Sequence, residues 1–168
     1  MSPFRRRSFS PTRRGRFKVN LAPEMRALLV ILANEVDEIV TLDIPETRRL
    51  FPTAYPHDAE KDAGYQVFAR DKLVERRKTA ADTVRATADH DELSEDELAQ
   101  WMAVVNDARL VIGTRLDVSE DDELDWTETD WNDPDVQLRI IYEDLGVLLD
   151  GMVKALMSAL PESGEADD

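Results

Sequence analysis

The chain contains no cysteine. That excludes a disulfide framework, a thiolate metal site, a cysteine nucleophile and a thiol redox switch, and it agrees with a reducing compartment. Histidine is almost as scarce. His57 and His90 are the only two, and neither stands in a two-histidine zinc helix or a Glu-x-x-His di-iron pattern. Six glycines supply no Walker phosphate loop and no G-x-G-x-x-G fingerprint. Long apolar runs are missing as well. ALLVILA at 27–33 is far too short to span a bilayer. The basic N-terminus is not followed by the apolar stretch of a secretory signal. These absences leave no recognisable catalytic, cofactor or metal chemistry and make a soluble, cytoplasmic protein without membrane contact the default expectation.

Acid is what the chain has in excess. Its net charge is −15, unevenly spread. Residues 1–18 hold Arg5, Arg6, Arg7, Arg13, Arg14, Arg16 and Lys18 and no acid, so the remainder carries 14 basic against 36 acidic side chains. An acidic body repels phosphate backbones and disfavours direct, specific DNA binding. A basic arm on such a body is a recurrent interaction tail. The sequence therefore divides into a flexible basic arm at 1–15, one mainly helical domain at 16–160 and a disordered acidic tail at 161–168. The arginines of the arm are its candidate partner contacts. The competing reading folds the arm onto its own acidic surface.

Periodicity predicts an all-α domain of four main helices with a small N-terminal hairpin. Phe17, Val19 and Leu21 alternate with polar residues, as in a half-buried strand, and Gly15 permits a turn back to a partner strand near Phe9. A first helix starts at Pro23 with a stripe running from Met25 to Val40. Its off-stripe residues Val30 and Ile31 suggest a central position. A second helix covers about 59–88, with Arg76 in the middle of a thin stripe. Ser94 and Glu97 form a capping box for a third helix at 95–117. Within it, Gly113 is expected to admit a close helix contact. Asp133 and Pro134 open a fourth helix reaching 160. LFPTAYPHD at 50–58 reads as an aromatic plug on the core, with a peptide or ligand contact as the alternative. Nine acids crowd residues 119–135. The EF-hand pattern fails there, because Trp126 stands where the loop needs glycine and Asn132 where it needs glutamate. A solvated acidic loop is the better reading.

Charges inside the helical stripes remain. Arg76, Arg109 and Arg115 lie on or beside apolar faces, with Glu24, Asp58 and Asp107 as candidate partners. Arginine's planar fork pairs well with carboxylates when partly desolvated. One reading is a structural charge network that fixes helix docking. The other is an anion site, in a small-molecule sensor or an uncharacterised enzyme.

LFPTAYPHD, W…VVNDARLVIGTRLDV and YEDLGVLL together resemble an actinobacterial family long catalogued as a domain of unknown function and also called the oxidative-stress regulator (AosR-like) family. The resemblance covers roughly 17–160. Its most specific piece is Trp101 with Asn106, Asp107, Arg109, Leu110, Gly113, Arg115 and Leu116, followed by Leu50, Phe51, Pro52, Ala54 and Tyr55. It implies a cytoplasmic, non-enzymatic regulator of the transcriptional stress response that acts through protein partners such as a sigma factor or another transcription component. A homodimer is compatible with it. Thiol sensing does not carry over to a chain without cysteine.

Overall fold

The computed structural model describes residues 7–117 and 130–160. Arg5, Arg6, most of the acidic loop and the acidic tail lie outside the described residues. Three strands come from the N-terminal region and one interhelical connection: β1 (Phe9–Pro11), β2 (Phe17–Val19) and β3 (Glu92–Leu93). Four long helices follow the chain: α1 (Pro23–Ile39), α2 (Ala59–Thr87), α3 (Glu95–Arg115) and α4 (Pro134–Ala159). A 3-10 turn, Pro45–Leu50, links α1 to α2. The expected all-α class, four helices and N-terminal hairpin are all present.

Local chemistry explains the helix starts. Pro23 and Pro134 occupy first-turn positions where the missing N–H costs nothing. The Ser94 Oγ accepts the Glu97 N–H at 3.1 Å, and Glu97 Oε2 accepts the Ser94 N–H at 2.6 Å. That reciprocal capping box satisfies two otherwise orphaned donors. Asp58 caps α2 by accepting the Lys61 N–H at 3.0 Å.

The hairpin is a working part of the core. β1 pairs antiparallel with β2 from Phe9↔Val19 to Pro11↔Phe17. Its turn is closed by the Thr12 N–H donating to the Arg16 carbonyl at 2.7 Å, with Gly15 at φ +70°. Only glycine adopts that conformation without strain. Phe9 and Phe17 are buried, and Phe9 meets the ring of Trp101 edge-on at 6.4 Å. The folded domain therefore begins before Gly15, earlier than the boundary drawn from charge. β3, a two-residue strand on the far side of β2, was not anticipated. It is too short to leave a period-2 signature.

α3 is the central element. It packs against α1, α2, α4 and the 3-10 turn. Trp101 is fully buried, and its indole N–H donates to Thr87 Oγ1 at 2.8 Å. The expectation that α1 is central is corrected: α1 buries only Leu29, Ala33 and Val36 along its length, and Ile31 is 56% exposed. α1 is instead tied down by Arg26. That guanidinium donates to the carbonyls of Val19, Ala88 and His90 at 3.1, 2.6 and 2.8 Å, joining strand, helix end and α1. Among the described residues, no helix is long and apolar enough to cross a membrane.

Candidate functional site

α2 has two unlike halves. Its fully buried residues, Ala80, Ala81, Val84 and Thr87, all lie toward the C-terminal end. The N-terminal half stands out from the core and carries the loop that precedes it. The Asp62 carboxylate accepts the N–H groups of Ala54 and Tyr55 at 2.7 and 3.1 Å, and the Gln66 amide donates to the Pro52 carbonyl at 3.2 Å. The loop is thus strapped to the helix by polar bonds. Leu50 is buried and Phe51 half-buried, but residues 52–58 are exposed. The expected aromatic plug is corrected: the core is already closed by Leu50, and the prolines carry the chain outward beyond it. Tyr55 instead meets Tyr65 edge-on at 6.1 Å, with the Lys61 ammonium 5.8 Å from its ring. Farther along the same half of α2, Val67 and Phe68 are 71% and 81% exposed.

Where α2 meets α3, a cleft of about 530 Å³ opens, floored by Leu73, Ala99 and Ala103. Arg76, Arg77, Asn106 and Asp107 contribute its polar wall. Asp107 is 6% exposed, and its Oδ2 lies 3.1 Å from Nε of Arg77. The Nε–H makes no well-directed hydrogen bond, so the attraction is mainly coulombic. Arg77 also donates from Nη2 to the Leu50 carbonyl at 2.7 Å and lies 5.1 Å from the Phe51 ring, which Arg70 covers at 4.1 Å. Burial pushes the Asp107 carboxyl above its ordinary range, and the neighbouring Arg77 only partly opposes the shift.

The six charges picked out from the sequence do not form one network. Arg76 and Asp107 line the same cleft, but Arg76 is exposed and its neighbour Arg77 makes the ion pair. The stripe drawn through Arg76 is displaced by one position. The inward line runs through Leu73, Arg77, Ala80, Ala81 and Val84. A strict four-residue spacing from Leu73 would have found Arg77. Arg115 is exposed at the C-terminal end of α3, contrary to a buried, paired role. Glu24 is exposed, and Asp58 serves as the α2 cap. Arg109 is half-buried and finds a ring in place of a carboxylate. Its guanidinium lies 4.5 Å from the centre of Tyr142.

Of the arm residues, Arg7, Arg13 and Arg14 are exposed. Arg16 belongs to the folded domain. It sits 3.7 Å from Glu92 and 3.4 Å from Glu97, and it donates to the Glu92 carbonyl at 3.1 Å. This one contact follows the fold-back reading. The close contact expected at Gly113 is present: a Cβ there would stand 3.1 Å from Cε2 of Tyr142.

No curated protein and no solved structure matches the chain. A family model does, over residues 1–156. The chain therefore belongs to the family described as Domain of unknown function (DUF2017).

Proposed function

We propose that this protein is a non-enzymatic regulator that works by docking a protein partner on the projecting half of α2. The observation carrying this reading is the pair Val67 and Phe68, exposed together on a helical stretch with no fully buried residue that also exposes Tyr65. Exposed apolar surface of this kind marks interaction sites. Burying one such aromatic side chain is worth roughly 1.5–3 kcal/mol, and aromatic residues dominate interface hot spots. The resemblance to oxidative-stress regulators supports a partner from the transcription machinery, such as a sigma factor. The absence of cysteine makes that role independent of thiol chemistry.

A photo-crosslinking phenylalanine analogue placed at position 68 tests the proposal in native cytoplasm. One defined partner should be captured, and Val67→Ser with Phe68→Ser should weaken its binding by about a hundredfold, as expected for hot-spot loss. Unchanged melting of that double variant would show that only the interface is affected. Equal binding by wild type and variant would refute the reading.

The α2–α3 cleft favours a second reading, a sensor of small polar molecules. Arg76 and Asp107 converge there on accessible space. Arg76→Gln should then abolish ligand-induced thermal stabilisation without altering partner capture through Phe68.

A further inference from the structure

The geometry points to a seat for a phosphate group formed by Arg49 and Arg109 around the ring of Tyr142, where the 3-10 turn, α3 and α4 meet. This inference does not rest on the aromatic face of α2.

Arg109 and Gly113 stand one turn apart on α3, as do Tyr142 and Gly146 on α4. The two pairs interlock. The Arg109 fork lies against Gly146, where a Cβ would stand 3.3 Å from Nη2 and 3.4 Å from Cζ. The Tyr142 ring lies against Gly113, at the 3.1 Å approach described above. Arg49 reaches the same place from the 3-10 turn, with its Nη1 3.6 Å from that Cβ position. Arg109 therefore covers the face of the ring, and Arg49 reaches the Gly113 position that the ring edge also approaches. Arg139 is also near the ring, 5.7 Å from its centre, with its Nε donating to Glu143 at 2.9 Å.

Neither Arg49 nor Arg109 has a carboxylate within ion-pair distance among the described residues. The Nε–H of Arg109 is buried without an acceptor. Asp144 is close in sequence, but its carboxyl is raised by burial alone, with no arginine lowering it. Among the described residues, no acidic side chain forms an ion pair with either arginine. Stacking on the ring offsets part of the desolvation of Arg109 but leaves its buried Nε–H without an acceptor.

That unmet donor identifies the ligand class. A single carboxylate is satisfied by one guanidinium fork. Two forks from separate elements suit a dianion with three terminal oxygens, which is a phosphate monoester. The acidic body repels extended polyanions, so the phosphate belongs to a small molecule or to one phosphorylated side chain.

The test is calorimetric titration of the full chain with inorganic phosphate, against chloride at matched ionic strength. Saturable one-to-one binding is expected. Arg109→Gln and Arg49→Gln should each weaken it at least about tenfold, the loss of a charge-assisted contact. Arg49 is exposed, so its variant keeps the fold even if the Arg109 variant does not. Gly146→Ala, which keeps both cations but crowds the Arg109 fork, should weaken binding as well. Glycerol phosphate and a short phosphoserine peptide then separate the two sources: the tighter ligand names the class. Binding no stronger than chloride, or phosphate binding indifferent to both arginine variants, would overturn the proposal.

Discussion

Nε of Arg77 on α2 lies 3.1 Å from Oδ2 of Asp107 on α3. Both side chains are largely withdrawn from water, and the same arginine holds the carbonyl of Leu50. One guanidinium thus joins α2, α3 and the end of the 3-10 turn. Removing it would leave a buried carboxylate unpaired and a carbonyl without its donor. Arg77→Ala should destabilise the fold by roughly 3–5 kcal/mol, the range for breaking a buried pair. Arg76→Ala and Arg115→Ala, at exposed positions, should stay within about 0.5 kcal/mol of wild type. Urea unfolding of the three variants decides the matter, and equal losses for Arg76 and Arg77 would contradict the pairing.

Asp107 and Glu97 should give opposite pH dependences. Burial raises the Asp107 carboxyl above 3.8, so the native state keeps a proton that the unfolded chain has released. Its contribution is fully present below 3.8 and is lost as pH rises through the raised native value. Glu97 is lowered below 4.5, chiefly by the backbone hydrogen bond from Ser94. Its contribution is present above 4.5 and is lost as pH falls through the lowered native value. Comparing unfolding free energies across the acid range, Asp107→Asn should remove the first slope and Glu97→Gln the second. A wild-type slope retained in either variant would reassign the linkage to other groups.

The glycines should separate by what surrounds them. A Cβ at Gly64 meets nothing within 4 Å, and one at Gly151 makes only an ordinary contact with Phe9. Alanine at either position should stabilise by about 0.5–1 kcal/mol through helix propensity. At Gly113 the Tyr142 ring must move to admit a methyl group. That cost should cancel or reverse the gain, which thermal unfolding of the three alanine variants would show.

Deletion of residues 1–15 should unfold the domain or weaken it severely, because it removes β1 and the buried Phe9 that meets Trp101. Phe9→Ala alone should cost about 3–5 kcal/mol, as for other buried phenylalanines. A truncated chain that melts like wild type would show that the hairpin is an appendage.

Most of the helical frame was legible locally. Pro23, Asp133 with Pro134, and Ser94 with Glu97 mark helix starts because capping chemistry involves residues only a few positions apart. The turn at Gly15 and the alternation of Phe17 and Val19 gave the hairpin for the same reason. The candidate sites depended on tertiary structure. Arg76 and Arg77 are adjacent in sequence, yet neighbouring helical side chains point about 100° apart, and only the packing of α3 decides which one turns inward. Likewise, Arg109 at the edge of an apolar stripe could seek a carboxylate or a ring. The answer lies on α4, where Gly146 leaves room for its fork and Tyr142 supplies the surface beneath it. Phe68 ends in solvent because the loop before α2 is strapped to the opposite side of that helix by Asp62 and Gln66. The local pattern thus determined the elements and their caps. Contacts between elements distant in the chain decided which charges are paired and which apolar side chains remain exposed, because burial belongs to the assembled surfaces and not to any one segment.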